Sequence, residues 1–154
     1  MSDEEGLATL SGASPVSEYR CRRRVQFSEV DSARIVNFSH YFRYMEEAEH
    51  ALWREAGLSI APPGATFGYA RIGASFEYHS PLRFEDEFDV LVRVAAITTR
   101  TMRYDCHVTR GGERIATGTM TIVCVTGGDG EPLRSIPIPA GIASRFAVAT
   151  EVRA

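Results

Sequence analysis

The chain contains no lysine, so arginine supplies all 17 basic side chains, against 20 acidic ones, for a net charge of −3. This balance gives no reason to expect nucleic acid or an anionic membrane as a partner. Genomic composition bias explains the missing lysine. The alternative is a functional use of arginine, whose planar guanidinium binds phosphate groups through two hydrogen bonds. No apolar run reaches the ~18 residues of a transmembrane helix, and no secretion signal follows Met1.

Metal-binding and redox motifs are missing as well. The cysteines are odd in number, form no CxxC pair and fall on the apolar phase of predicted strands, at Cys21, Cys106 and Cys124. We therefore predict reduced core thiols in a cytoplasmic protein. The histidines are isolated, without an HxxxH or His/Cys cluster, so the sequence predicts neither a metal nor a cofactor.

A single domain is expected from 154 residues, of which 44% are hydrophobic, because cores divide only in chains of roughly 250–300 residues. Residues 1–17 are rich in Ser, Gly and Ala and show no period, which predicts a disordered tail. Residues 18–154 contain neither internal repeats nor a linker and form the predicted domain.

One long helix is predicted over residues 39–57. Apolar side chains such as Tyr41 and Met45 recur there at helical spacing. Ser39 is placed to cap the start of the helix, and Gly57 to end it. The apolar arc is broader than one buried face needs, so we expect other elements to wrap this helix.

Most of the chain after the helix alternates as strands do. Alternation predicts strands over 20–27, 69–79, 87–97, 101–109 and 115–125, with a Gly-Gly hairpin turn before the last of them. The strand over 20–27 directs Cys21, Val25 and Phe27 inward, and its basic outer face suits a sheet edge. One helix followed by an antiparallel meander is an α+β class, and a sheet wrapped around that helix is the hot-dog fold.

The segment between the first strand and the helix carries the candidate chemistry. Asp31 lies in a short loop before the helix N-terminus, where unpaired N–H groups can stabilise an oxyanion. A carboxylate there can activate water or attack a carbonyl directly, which suits acyl transfer. The alternative is that Asp31 only caps a local N–H group in a turn.

This segment resembles a known family. The run VQFSEVDSARIVNFSHYFRYMEEAEHALWREAGL is similar to the signature of the 4-hydroxybenzoyl-CoA thioesterase family of hot-dog acyl-CoA thioesterases. In that signature a phenylalanine precedes the key aspartate, Gly-Ile-Val follows it, and the helix carries a tyrosine and a glutamate. The resemblance covers about residues 20–142.

The resemblance implies hydrolysis of an acyl-CoA to a free acid and CoA. By position, Asp31 is the catalytic nucleophile or general base, and the N–H groups of Phe38 and Ser39 form the oxyanion hole. Tyr41 and Glu46 match the helix tyrosine and carboxylate and are expected to bind substrate. An early-helix acid that interacts with the helix dipole is an equal alternative for Glu46.

The resemblance also implies a phosphate-binding residue and a homo-oligomer. Arg100 matches a region where aryl-CoA relatives carry basic residues near the nucleotide. The alternative, which the sequence alone favours slightly, is that Arg100 is an ordinary outward residue of a strand pair. Hot-dog relatives pair their sheets, so a homodimer or homotetramer with a site shared between chains is expected. The acyl group stays open between aryl and aliphatic; four aromatic residues are candidates for its pocket, namely Phe38, Tyr41, Phe67 and Tyr69.

Arg34 departs from the family, since it stands where glycine is usual. If that position needs a positive φ, arginine is strained there. The departure keeps open a non-catalytic hot-dog module that binds acyl-CoA without turnover. A hydratase or dehydratase is the other alternative, and His40 is its only candidate base.

Overall fold

The structure is a computed structural model and describes residues 14–150. Residues 1–13 of the predicted tail lie outside the described residues. Within the same predicted tail, Val16 forms a β-bridge with Phe146, and the Ser17 carbonyl accepts a hydrogen bond of 2.8 Å from the Val94 N–H. The backbone pairing of the domain therefore includes residues before Glu18.

Six antiparallel strands form one sheet around a central helix, which confirms the predicted α+β hot-dog fold. The order across the sheet is β1-β3-β4-β5-β2, and β6 pairs with β5. In chain order the elements are β1 (Glu18–Arg24), a 3₁₀ turn (Phe27–Glu29), α1 (His40–Glu55), β2 (Phe67–Tyr78), β3 (Glu87–Ile97), β4 (Thr101–Arg110), β5 (Glu113–Gly128), β6 (Glu131–Ser135) and α2 (Ala140–Ala143).

The central helix α1 is wrapped by the sheet as its broad apolar arc predicts. Its inward side chains are fully buried, among them Tyr44, Met45, Ala48 and Leu52. The end at Gly57 is confirmed: this residue has φ of 78°, its N–H bonds to the Arg54 carbonyl, and the next N–H bonds to the Trp53 carbonyl, both at 2.9 Å. These two bonds make a Schellman motif.

The start of α1 differs from the prediction in one respect. Ser39 holds the N-cap position, but its side chain accepts no hydrogen bond from the helix. The Ser39 hydroxyl instead donates to Asn37 Oδ1 at 2.6 Å, and the same oxygen accepts the Ser39 N–H at 3.0 Å. The side chain that caps the chain before α1 is therefore that of Asn37.

Trp53 anchors α1 to the sheet. It is the single tryptophan of the chain and is 1% exposed. Its Nε1–H donates to the Tyr104 hydroxyl at 2.9 Å, and its ring packs against Tyr69 and Phe146 with centroid separations of 5.0 and 4.9 Å. A buried indole with a satisfied N–H fixes how the helix sits on β4 and β2.

Phe27 corrects the predicted first strand. The strand ends at Arg24, and Phe27 is 75% exposed rather than inward. The cause is local: the Gln26 N–H bonds to the Glu29 carboxylate at 2.7 Å, and this bond turns the chain into a 3₁₀ turn. Cys21, Cys106 and Cys124 are free thiols, as predicted.

The two outer strands of the sheet are β1 and β2. The position of β1 at an edge is as predicted, with Arg20, Arg22 and Arg24 exposed. Within the described residues, β2 pairs only with β5, and its pairing shifts register between Arg71 and Gly73. Ile72, at this bulge, is 61% exposed.

Candidate functional site

The loop that carries Asp31 is a short ribbon folded back on itself. Val30 bridges Val36, the Asp31 N–H bonds to the Ile35 carbonyl, and the Arg34 N–H bonds to the Asp31 carbonyl, both at 2.9 Å. Arg34 has φ of 64°, so the position does require the left-handed conformation. A non-glycine residue costs about 1 kcal/mol there.

A buried carboxylate holds this ribbon against the core. Glu29 is 6% exposed, and its carbonyl accepts the Asn37 N–H at 2.9 Å. Its carboxylate lies 3.6 Å from the Arg23 guanidinium, which in turn lies 4.7 Å above the Tyr44 ring. Burial, and then the charge of Glu29, raises the pKa of the Tyr44 phenol, which therefore stays protonated and neutral.

The ribbon, the start of α1 and the end of β2 enclose a cavity of about 430 Å³, the Tyr41 cavity. Its polar or aromatic lining residues are Asp31, Phe38, Tyr41, Tyr78, His79 and Ser80. The Tyr41 and Tyr78 rings meet edge to face at 5.1 Å. Burial raises the pKa of Tyr41 to about 12 and also raises the pKa of Tyr78, so both phenols are neutral at physiological pH.

Asp31 is half-buried in this wall. One carboxylate oxygen, Oδ1, accepts the Ala33 N–H at 2.8 Å. Oδ1 of Asp31 therefore makes the local hydrogen bond that the turn-forming alternative predicted. The other oxygen, Oδ2, has no hydrogen-bond partner in the part of the chain that the structure describes, so the carboxylate is oriented and still has an unoccupied acceptor.

The two N–H groups expected in an oxyanion hole differ in their surroundings. The Ser39 N–H is bonded to Asn37 Oδ1. The Phe38 N–H has no acceptor among residues 14–150, while the Phe38 carbonyl accepts a hydrogen bond of 2.8 Å from the Tyr78 hydroxyl. An unbonded N–H beside a cavity can donate to a bound carbonyl oxygen.

Two predicted substrate-binding residues lie outside the Tyr41 cavity. Glu46 points to β2, where its carboxylate is 3.5 Å from the Arg71 guanidinium. Arg100 follows the far end of β3 and donates to the Ser135 carbonyl at 2.6 Å. The length of β3, roughly 30 Å, separates Arg100 from the sheet end beside which Asp31 lies, so one chain does not bring the two together.

The four aromatic candidates for an acyl pocket divide into two pairs. Phe38 and Tyr41 line the Tyr41 cavity, whereas Phe67 and Tyr69 line a separate cavity of about 400 Å³ beside His50. The candidate base His40 lines neither of these cavities. The histidine in the Tyr41 cavity is His79, whose Nε2 is 3.0 Å from the Thr117 hydroxyl.

Tyr78, His79 and Ser80 were not among the predicted site residues. They lie about 40 positions from Phe38 in the chain, and only the register of β2 against β5 brings them to the helix start. The available signal was their place at the end of a strand, which does not by itself indicate a site. No three His, Cys, Asp or Glu side chains cluster as metal ligands within residues 14–150.

Over the same described residues, none of the helices has the length and apolar character needed to cross a membrane.

Residues 25–146 of the chain match the Thioesterase-like superfamily. A curated protein of Aquifex aeolicus (strain VF5), named "Putative esterase", is 34% identical over 84 residues, which span 54% of this chain and 66% of that protein.

Solved structures share the fold over most of the chain. A hypothetical protein from Aquifex aeolicus aligns with a TM-score of 0.77 and 27% identity, over 84% of this chain and 99% of that one. A 1,4-dihydroxy-2-naphthoyl-CoA thioesterase from Synechocystis aligns with a TM-score of 0.76 and 16% identity, over 84% and 95% of the two chains.

Proposed function

Because the chain belongs to the thioesterase-like superfamily, we propose that it is an acyl-CoA thioesterase with Asp31 as its catalytic carboxylate. The motif around Asp31 further places it, in this proposal, with the 4-hydroxybenzoyl-CoA thioesterase family. The observation that carries the proposal is the meeting of three features at the Tyr41 cavity: the oriented Asp31 carboxylate, the unbonded Phe38 N–H and a largely apolar wall.

The reaction needs few groups. The Phe38 N–H donates to the thioester carbonyl oxygen and stabilises the negative charge that develops there. Asp31 takes a proton from water, the water oxygen bonds to the carbonyl carbon, the C–S bond breaks, and the proton passes to the departing thiolate. Alternatively the Asp31 carboxylate attacks the carbonyl carbon, the C–S bond breaks, and the thiolate leaves and takes a proton from water. Water then hydrolyses the resulting mixed anhydride to the free acid and the regenerated Asp31 carboxylate. A Ser39 N–H released from Asn37 would add a second donor.

An aromatic acyl group suits the Tyr41 cavity best. Tyr41 and Tyr78 offer ring edges and faces to an aromatic ligand, and such contacts contribute about 1 kcal/mol beyond area burial. His79 and Ser80 add polar groups near one wall, where a ring hydroxyl would find a partner. The Synechocystis thioesterase of the same fold is named for an aromatic acyl-CoA, which supports this choice.

A homodimer completes the proposal. Within the described residues, the outer edge of the 12-residue strand β2 has no partner strand, and such an edge is a template for pairing with a second strand. Pairing β2 with β2 of another copy would cover this edge, including Ile72. A site shared between copies is the arrangement in which Arg100 of one chain could approach a substrate held by another.

The test is release of free thiol from a panel of acyl-CoAs by the wild type and by Asp31→Asn. Asn keeps the size of the side chain and its acceptor for the Ala33 N–H but cannot act as base or nucleophile, so kcat should fall by about 10²-fold or more. Asp129→Asn is the matched control, because Asp129 lies in the β5–β6 turn with φ of 50°, a conformation that Asn tolerates.

Each outcome decides between the candidate functions. Thiol release that survives Asp31→Asn unchanged would contradict the catalytic role. Binding of acyl-CoA without thiol release would establish the non-catalytic module instead. Conversion of an unsaturated acyl-CoA without thiol release would establish a hydratase, with His79 rather than His40 in reach of the substrate.

A further inference from the structure

Asp31 lines a second cavity besides the Tyr41 cavity. The second, the Phe84 cavity, has about 570 Å³ and is lined by Phe27, Val30, Asp31, Ser32, Arg34 and Phe84. It shares Asp31, and no other lining residue, with the Tyr41 cavity. A thioester also has two halves, an acyl group and a thiol-bearing arm, and the bond that breaks lies between them.

Resting on the proposed function, we infer that the Phe84 cavity binds the pantetheine arm of coenzyme A and that the exposed Arg34 binds the phosphate groups to which this arm is joined. The Tyr41 cavity reaches buried side chains, since Tyr41 and Val36 are 3% and 4% exposed, and this suits the compact acyl group. Both cavities open to solvent, but none of the residues that line the Phe84 cavity is buried, which suits a long arm that must extend into solvent.

The exposed aromatic pair supplies the apolar part of this surface. Phe27 and Phe84 are 75% and 47% exposed, and their rings meet edge to face at 5.5 Å. Two phenylalanines held in this way at the surface are not explained by core packing. They offer a flat apolar contact for the gem-dimethyl and methylene groups of the pantetheine arm.

Arg34 supplies the charged part. It is the only arginine that lines either cavity at Asp31, and within residues 14–150 its guanidinium forms no salt bridge. The left-handed turn places Arg34 three residues after Asp31 at an energetic cost that glycine would avoid. A planar guanidinium binds a phosphate with two parallel hydrogen bonds, and strained residues of this kind concentrate at ligand sites.

The experiment compares Arg34→Gly with the wild type on two substrates with the same acyl group, an acyl-CoA and an acyl-pantetheine that lacks the nucleotide. We expect KM for the acyl-CoA to rise about tenfold in Arg34→Gly, with KM for the acyl-pantetheine unchanged. The wild-type KM for acyl-CoA should rise with salt, and that of the variant should not. Arg83→Ala is the control, because it removes the same charge from a neighbouring strand end outside the cavity.

A second variant tests the contact between the aromatic pair and the pantetheine arm. Phe27→Ala removes a ring that is mostly exposed, so the fold should be retained, and it should raise KM for both substrates. An equal KM for acyl-CoA in Arg34→Gly and wild type, or an equal rise on both substrates, would overturn the role of Arg34. Unchanged KM values in Phe27→Ala would overturn the role of the aromatic pair.

Calorimetric binding of coenzyme A and of pantetheine separates this inference from the proposed function. Neither measurement needs turnover. A weaker Kd for coenzyme A in Arg34→Gly, together with an unchanged Kd for pantetheine, supports the phosphate role even if no acyl-CoA is hydrolysed. Equal Kd values for coenzyme A in variant and wild type contradict it even if hydrolysis is rapid.

Discussion

Tyr78 connects the end of β2 to Phe38, whose unbonded N–H is the proposed oxyanion donor. Its hydroxyl donates to the Phe38 carbonyl at 2.8 Å, so it positions the proposed oxyanion donor without touching the reacting carbonyl itself. Tyr78→Phe removes one hydrogen bond of about 1 kcal/mol, and kcat should therefore fall roughly fivefold with less change in KM. Steady-state kinetics on one acyl-CoA measures this.

Tyr69→Phe is the matched control for that variant. It deletes the same atom from a tyrosine that lines the separate cavity beside His50 and whose buried hydroxyl has no hydrogen-bond partner within the described residues. Its kcat should equal that of the wild type. A Tyr78→Phe protein with unchanged kcat, or with a rise in KM alone, would show that the Phe38 backbone does not depend on this bond.

Between elements, Arg71 of β2 forms ion pairs with two carboxylates of α1, the exposed Glu46 and the buried Glu49. Glu49 is fully buried, and its two oxygens each lie 2.7 Å from a guanidinium nitrogen of Arg71. Replacing only one member leaves an unpaired buried charge, so Arg71→Met should lower the free energy of unfolding by about 3 kcal/mol. The double variant Glu49→Met/Arg71→Met should recover most of this loss.

Urea unfolding followed by circular dichroism measures both variants. Arg71 is partly exposed, so solvent screens part of the pair, and a smaller loss in Arg71→Met is compatible with the argument. Equal destabilisation by the single and the double variant would contradict the argument, because it would show that Arg71 acts through packing and not by neutralising Glu49.

The helix and the strands could be predicted from the sequence where each buries one of its faces. Tyr41, Met45 and Leu52 repeat at helical spacing because they share the core, and the strands alternate because β3, β4 and β5 bury one face. No such period marks Glu131–Ser135, in which every residue is exposed, and β6 was not predicted. Phe27 was misplaced because the side chain of Glu29, two residues away, turns the backbone out of the strand.

The candidate site was predictable only where it is local in sequence. Asp31 and Phe38 lie within one loop and share the Tyr41 cavity, so a motif can identify both. Tyr78 and His79 reach the same cavity through the register of β2 against β5, which alternation does not determine. Arg100 was assigned from a regional resemblance, and the length of β3 separates it from Asp31 within the chain.

At the scale of the whole molecule, the proposed dimer makes a prediction about Ile72. Ile72→Lys introduces a charge at the outer edge of β2, where it would oppose pairing with a second copy. Sedimentation velocity should show a dimer for the wild type and a monomer for this variant. Leu133→Lys is the matched control, because Leu133 is also 61% exposed but lies on β6, and it should remain a dimer.

A monomeric wild type at assay concentrations, with full activity, would refute the dimer and the shared site together. A dimer that persists in Ile72→Lys would place the interface elsewhere. Loss of the dimer in Leu133→Lys alone would move it to the β6 edge.

The single tryptophan gives the molecule a built-in optical probe. Trp53 is buried at the centre of the one core and hydrogen-bonded to Tyr104, so its intrinsic fluorescence has one source and one environment. Water reaches that indole only when α1 leaves the sheet, and the emission maximum then moves to longer wavelength. The Trp53 spectrum therefore reports whether helix and sheet remain docked, independently of any event in the Asp31 loop.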